Sequence, residues 1–235
     1  MPPRLTIVMP ALNEAESLDR HLRAALAAAD EVVVSDGGST DGTPEIARRL
    51  GARVVSGPPG RGGQLSRGAR AALAANGGAG DVLLFLHADT LLPPEGGQAV
   101  RAAIAAGAVG GAFRVRFDVD RPMLRLGARL INLRTRLTGL PLGDQAQFVR
   151  RDVFERLEGF RDWPILEDLD LAMRLKREGK TVLLGDRVDN RVTTAARRFV
   201  HLGIVRTVAT NWLIWTLFAL GVSPHRLVRL YYRLR

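Results

Sequence analysis

Two stretches decide the fold class: Leu5-Thr6-Ile7-Val8-Met9-Pro10-Ala11-Leu12-Asn13-Glu14 and Val32-Val33-Val34-Ser35-Asp36-Gly37-Gly38-Ser39-Thr40-Asp41. In each, an unbroken apolar run gives way abruptly to polar turn residues. Continuous apolarity without alternation marks a strand buried on both faces, as in a parallel sheet covered by helices. Leu5–Met9 is the first such strand, and Asn13 followed by Glu16 reads as a capping box that opens a helix to about Ala28.

The pattern continues outward. Glu31–Ser35 is the second strand, Thr43-Pro44-Glu45 opens the second helix with Pro in its first turn, and Arg53–Ser56 is the third strand. A Gly/Arg-rich turn over 57–63 leads into a helix ending near Asn76, and Asp81–Leu86 is the next buried strand. Pro93-Pro94-Glu95 starts a helix and Gly110–Asp118 alternates like one strand. Beyond it, Pro122–Thr138 is expected to be a helix whose charges are all basic, followed by a loop over 139–143, a helix over 166–179, a strand Thr181–Leu184 and a long apolar helix over 201–220. The fold class is therefore α/β, with a mostly parallel central sheet flanked by helices. Residues 1–200 read as the main domain and 201–235 as a C-terminal apolar and basic helical segment.

A chain of 235 residues that is 46% hydrophobic and 25% charged is neither disordered nor collagen-like, and it can bury a core without staples. With no cysteine, it has no disulfide framework, thiolate zinc site or catalytic thiol, so any metal must sit on oxygen or imidazole. The net charge of +10 is not spread evenly. No acid follows Asp189, and the last 46 residues carry eight arginines, from Arg191 to Arg235. That tail is interrupted by the uncharged run Thr207–Val222, with Trp212 and Trp215, and no nucleic-acid-binding module is recognisable, so no nucleic-acid partner is expected. As a helix the uncharged run would be about 24 Å long, short of the roughly 30 Å hydrocarbon core of a bilayer. Two readings stay open: a helix lying in an anionic membrane surface, or one packed on the domain or on a partner chain. Met1-Pro2-Pro3-Arg4 and the short run after it lack the pattern of a signal peptide, so a cytoplasmic location is expected, peripheral on the inner face of the cell membrane if the tail touches lipid.

Ligands of open α/β sheets collect at the carboxyl ends of the strands. Here those ends carry Asn13 and Glu14, then Asp36 to Asp41, then His87-Ala88-Asp89. Carboxylates gathered at neighbouring strand ends repel, a cost that a metal ion or a hydrogen-bonding ligand offsets. Each segment has a structural reading of its own, Asn13 as a helix cap and Asp36-Gly37-Gly38-Ser39 as a turn. Their joint order is what points to a site.

Together Ile7–Glu14, Val34–Thr43, Phe85–Thr90 and Ile165–Asp168 resemble the family 2 glycosyltransferases, whose nucleotide-diphosphosugar transferase fold is called GT-A. The resemblance covers roughly residues 4–180, and the nearer look-alikes are small bacterial members grouped with arsenosugar biosynthesis, with carotenoid-acid glycosyltransferases among their relatives. It implies an inverting glycosyltransferase that takes a sugar from a nucleotide diphosphate, UDP-sugars first among them, to an acceptor that no motif identifies and that the tail suggests is lipophilic. Pro10, Asn13, Glu14, Asp36, Gly37, Arg61, Ala88 and Asp89 would then surround the donor, with Asp36 accepting from the imide N–H of a base such as uracil. Asp89 matches the last acid of the family's Asp-x-Asp motif and would hold Mn2+ or Mg2+ at the donor phosphates. His87 stands where the first acid belongs and is the other expected metal contact, as a neutral imidazole. Glu167-Asp168 matches the family's Glu-Asp motif, which makes Asp168 the implied general base, although acids also favour a helix N-terminus electrostatically. Asp144, Gln145 and Arg198 fall where related enzymes have acceptor-side residues, and the pair Arg197-Arg198 could also meet the donor diphosphate.

Two alternatives remain at this level. A sugar nucleotidyltransferase on the same fold needs a Gly-rich, Arg-containing loop straight after strand one, and Pro10–Glu14 stands there instead. A non-catalytic membrane-surface protein with a degenerate donor pocket would account for His87 and the tail.

Overall fold

Strands β1 (Leu5–Ala11), β2 (Glu31–Asp36), β3 (Arg53–Ser56), β4 (Val82–Phe85), β6 (Gly110–Phe113), β8 (Phe148–Arg150) and β9 (Thr181–Leu184) form one sheet in the order β3-β2-β1-β4-β8-β6-β9. β8 is antiparallel to both of its neighbours and every other pairing is parallel, as the unbroken apolar runs imply. A second, three-stranded sheet joins β5 (Thr90–Leu91), β10 (Val192–Thr194) and β7 (Val115–Phe117). The structure is a computed structural model that describes residues 2–75, 82–197 and 203–234.

Both faces of the large sheet are covered, so alternate residues of one strand feed two cores. Leu5, Ile7 and Met9 of β1 join Leu18 and Leu22 of α1 (Ala15–Ala28) and Val100 of α4 (Gly96–Ala105) on one side. Val8 joins Leu65 and Ala69 of α3 (Arg61–Ala75), Phe154 of α6 (Arg151–Arg156) and Leu171 of α7 (Glu167–Glu178) on the other. In that second core Phe85, Phe154 and Phe160 pack in a triangle with ring centroids 4.6 to 5.7 Å apart. α2 (Thr43–Arg49) flanks β2 and β3.

The chain departs from the sequence reading at particular points. The strand expected over 110–118 breaks at Arg114, whose N–H donates to Leu184 in the large sheet while its carbonyl accepts from Val192 in the small one, so one alternating run serves two sheets. Gly110 and Gly111 let β6 fit between its neighbours, since a Cβ on Gly111 would stand 2.1 Å from the carbonyl oxygen of Val182. Arg61 begins α3 instead of lying in the turn before it, α4 begins at Gly96, after Pro93-Pro94-Glu95, and α6 is a further short helix beyond those the sequence implies. The capping box at Asn13 does not form: Glu14 is the N-cap of α1 and makes no side-chain capping bond.

Helix α5 (Pro122–Thr138) has the expected bounds. Asn132 fixes it to the edge of β7, its Oδ1 accepting from Val115 N–H at 2.8 Å and its Nδ2 donating to Val115 carbonyl at 2.9 Å, as a neighbouring strand would. The C-terminal segment forms α8 (Ile204–Ala219) and α9 (Pro224–Leu234). Ile214 and Leu227 pack there with Leu166 and Leu169 at the start of α7, so the tail is built onto the domain along one face. Among the described residues no helix is long and apolar enough to cross a membrane.

Asn132→Ala strands two buried backbone groups of Val115 at once. Each unsatisfied group costs about 1–3 kcal/mol, so the variant is expected to lose about 2–5 kcal/mol in urea unfolding. A loss under about 0.5 kcal/mol would show that the strand-like contact carries no weight.

Candidate active site

The loops after β1 and β2 are stitched into one surface. Asn13, at φ +52°, accepts from Thr40 N–H through Oδ1 at 2.9 Å, and its own N–H donates to Ser39 Oγ at 2.9 Å. Glu14 N–H donates to Thr43 Oγ1 and Ala15 N–H to Asp41 Oδ2, at 2.9 and 3.0 Å. The first N–H groups of α1, orphaned in any helix, are thus satisfied by the second loop instead of by a cap of their own. The Thr43 hydroxyl, at 2.6 Å, leads the interactions that hold Asp41 below the usual carboxylate range. Asp36 is 2% exposed and its carboxylate accepts from the N–H groups of Gly38 and Ser39, which leaves only its remaining lone pairs for any further donor.

Gln64 braces the same strand ends from α3. Its Nε2 donates to the carbonyls of Ala11 and Ser35 at 2.7 and 3.0 Å, and a Cβ on Gly37 would come within 3.0 Å of its side chain. Gly37 is therefore glycine to admit Gln64.

Across the sheet, α7 delivers the acidic pair. Leu166, just before it, is left-handed at φ +65°, a costly conformation for a branched residue and one that tends to mark functional turns. Glu167 is fully buried and accepts from Arg61 Nε at 2.5 Å, while its other oxygen has no protein partner among the described residues. Burial pushes Glu167 up from its ordinary value against the pull of Arg61. Asp168 accepts from Gly143 N–H at 2.6 Å and from Arg61 at 3.2 Å through Oδ2, and from its neighbour Leu169 N–H at 2.8 Å through Oδ1. A Cβ on Gly143 would lie 2.8 Å from His87 Nε2 and 3.0 Å from Asp168 Oδ2, so the absence of a side chain there lets imidazole and carboxylate share one corner. Burial, reinforced by Arg61, pushes His87 down to about 3, leaving the ring neutral at ordinary pH. Asp144 belongs to the same corner. Burial and the nearby Asp168 raise it against the pull of Arg134, and its Oδ1 is buried without a partner among the described residues.

Asp89 faces another way. Arg197 donates to Glu14 Oε2 at 2.9 Å and stands 3.6 Å from Asp89 Oδ2, a guanidinium set between two carboxylates. Burial first, and the Glu14 charge second, raise Asp89, while Arg197 and His21 of α1 pull it down. His87 and Asp89, the pair expected at the metal, have different neighbours: His87 lies in the corner with Asp168, and Asp89 is grouped with Glu14 about Arg197. Two carboxylates clustered on one cation fit a Mg2+ or Mn2+ ion, which takes one or two carboxylates and completes its shell with substrate phosphates and water. Among the described residues no three His, Asp or Glu side chains form a metal cage of their own.

The structure brings Asn13, Glu14, Asp36, Gly37, Ala88 and Asp89 to the carboxyl ends of β1, β2 and β4, and it sets Pro10 inside β1, paired with Ser35. Arg61, expected at the donor, instead joins the two halves by gripping Glu167 and Asp168. Gln145, expected on the acceptor side, is fully buried and spends its side chain on Thr135, Arg134 and the Phe113 carbonyl, which makes it a strut. Arg198 lies outside the described residues. Sequence reading missed Gln64, Thr43 and His21, each a common residue whose role depends on a partner distant in the chain.

Residues 6–157 match the family described as Glycosyl transferase family 2. A stretch of 48 residues is 58% identical to the succinoglycan biosynthesis protein ExoA of Rhizobium meliloti strain 1021, covering 19% of this chain and 14% of that protein. Among solved structures, residues 1–349 of S. aureus TarS superpose with a TM-score of 0.61 at 18% identity, over 88% of this chain and 64% of that one. The glucosyl-3-phosphoglycerate synthase of Mycobacterium tuberculosis, crystallised with Mn2+, UDP and glucosyl-3-phosphoglycerate, gives 0.54 at 22% identity, over 82% and 70%. At such identities the structures speak for the fold alone, and the chain spans 14% of ExoA and less than two thirds of that TarS fragment. With the family pattern extending over 6–157 and the strand-end loops and acidic pair in place, the chain belongs to glycosyl transferase family 2.

Proposed function

We propose that the chain is an inverting glycosyltransferase that moves a sugar from a UDP-sugar to a hydroxyl of a lipophilic acceptor, with Asp168 as general base. The observation that carries this reading is the Asp168 carboxylate, fixed by the Gly143 N–H and Arg61 and facing the loop after β4 that bears His87 and Asp89. The family supplies the reaction class, and the synthase crystallised with Mn2+ and UDP supports the choice of donor and cation.

In the proposed step the acceptor oxygen attacks the anomeric carbon from the face opposite the diphosphate, and its proton passes to Asp168. The bond to the leaving oxygen breaks and its electron pair departs with UDP. Asp89 and Glu14 would hold a divalent cation, whose charge would neutralise the diphosphate when bound. Arg61 keeps its pairing with Glu167 when Asp168 takes the proton, so the buried acid never loses its counter-charge. Neutral His87 can offer a hydrogen bond beside the reacting oxygen without competing for the proton. For the acceptor, the supporting feature is the apolar cluster of Leu166, Leu169, Trp163 and Trp215 beside the acidic pair. Peripheral attachment to the inner face of a membrane would bring such an acceptor within reach.

Calorimetry with UDP and GDP, each with and without Mn2+, tests the donor: UDP with Mn2+ is expected to bind, and failure of both nucleotides would refute a nucleotide-sugar enzyme. Asp168→Asn should lower kcat by about 10²–10⁴-fold and leave UDP affinity within about twofold; unchanged turnover removes Asp168 as the base. Asp89→Ala should abolish the Mn2+ enhancement of UDP binding, and an enhancement that persists would move the metal elsewhere. Arg197 competes for the same two carboxylates, so Arg197→Ala is expected to tighten binding of Mn2+ alone by about threefold or more. Equal Mn2+ affinity in that variant would show that the guanidinium does not occupy the cation's place.

A further inference from the structure

Helix α5 buries Leu124, Ala128, Asn132 and Thr135 along one side. At the helical advance of about 100° per residue, the opposite side is a stripe of Met123, Leu126, Leu130, Leu133 and Leu137. These are 51, 49, 55, 49 and 75% exposed. The helix carries no acid, and Arg125, Arg129 and Arg136 fall along one border of the stripe. An apolar stripe directed away from the core and edged by arginines does nothing for the fold, since the buried side already supplies the packing.

We propose that α5 lies in the surface of an anionic lipid bilayer, with its leucine stripe among the acyl chains and its arginine border at the headgroup phosphates. The proposal deepens the peripheral attachment proposed above, rests on it, and assigns it to an internal helix in addition to the tail. Charge decides between a bilayer and a second copy of the chain. Two α5 helices packed stripe to stripe would set arginines against arginines with no acid on either helix to relieve them, whereas anionic headgroups complement the whole border. The cation density extends past the helix. Arg125, which pairs with Asp120 at 3.4 Å, and Arg129 border an open cleft of about 860 Å³ that Arg116 and Arg191 line together with Glu16, Asp89, Asp118 and Asp120. Arg116 and Arg129 have no acidic partner among the described residues, and Arg191, disfavoured first by burial, is repelled by Arg114, Arg116 and Arg129 against the pull of Asp186. Phosphate groups would relieve that repulsion. At the other end of the stripe Arg134 stacks on Trp215 of α8 at 4.9 Å, and α8 exposes Trp212 and Leu213, so the tail adds apolar surface next to α5.

Cosedimentation with vesicles tests this on the full chain. Phosphatidylcholine vesicles containing phosphatidylglycerol should bring the protein down, and vesicles of phosphatidylcholine alone should not. The triple variant Leu126→Ser, Leu130→Ser, Leu133→Ser, all solvent-facing, should keep wild-type circular dichroism and UDP affinity while its partitioning falls by about tenfold or more. Wild-type partitioning of the triple variant overturns the assignment of α5; if Trp212→Ser with Leu213→Ser then abolishes partitioning, attachment belongs to the tail and the peripheral reading survives. Failure of the wild-type chain to bind either vesicle, with UDP binding intact, overturns membrane docking without touching the transferase reading. A concentration-dependent dimer that the triple variant abolishes gives the stripe to a second copy and overturns the proposal as well.

Discussion

Glu167 has no exposed surface, and a carboxylate in that position is tolerated only with a counter-charge. Arg61 provides it from 106 residues away, and the same guanidinium reaches Asp168. The pairing therefore closes the molecule: α3 belongs to the half whose strand-end loops are stitched together, α7 to the half that carries the acidic pair. The site exists only where those halves are held in register. Surface ion pairs elsewhere in this arginine-rich chain, such as Arg23 with Asp19, are worth little by comparison because solvent screens both partners.

The positions of the site residues follow from what surrounds that pair. Gly143 offers its N–H to Asp168 and leaves space for His87, and it can do so because the turn over 143–145 is pinned by Gln145, whose buried amide ties Thr135 of α5 to the carbonyl of Phe113. Ala146, immediately after, is left-handed at φ +46°. With Asn13 and Leu166 it makes three non-glycine residues at positive φ on the loops around the site, where the fold spends conformational energy to aim side chains.

Much of this was legible in the chain itself. The bounds of β3, α5 and β9 are those the sequence implied, because each has a clear period or a clear stop: Pro122 and Gly139 frame α5 without ambiguity. Errors fell where long-range partners override local chemistry. Asn13 looks like a cap because Asn-x-x-Glu is a capping pattern, yet its amide oxygen does more by accepting from Thr40 across the site. Arg61 looks like a turn residue among glycines, yet Glu167 draws it into the first turn of a helix. His87 beside Asp89 suggests two ligands for one ion, but His87 to Thr90 is a turn, closed by Thr90 N–H donating to the His87 carbonyl at 3.0 Å, and the two side chains meet different neighbours, His87 in the Asp168 corner and Asp89 beside Arg197. No reading of short spacings finds Arg197, which meets Glu14 and Asp89 only in the folded chain.

The net charge takes on a different meaning once the structure is known. The tail carries the arithmetic excess, yet among the described residues arginines without acidic partners also lie outside it, Arg116 on β7 and Arg129 on α5 beside the open cleft. Charge that stabilised the fold would be found in pairs, as Arg61 and Arg174 are. Charge left unpaired on a rigid element raises the energy of the isolated protein through self-repulsion and is recovered only against an anion. The acidic pair and the bare arginines thus follow opposite logics. The first is buried and compensated within the chain, so that its geometry is fixed before substrate arrives; the second is exposed and uncompensated, which suits a surface that meets its counter-charge outside the chain.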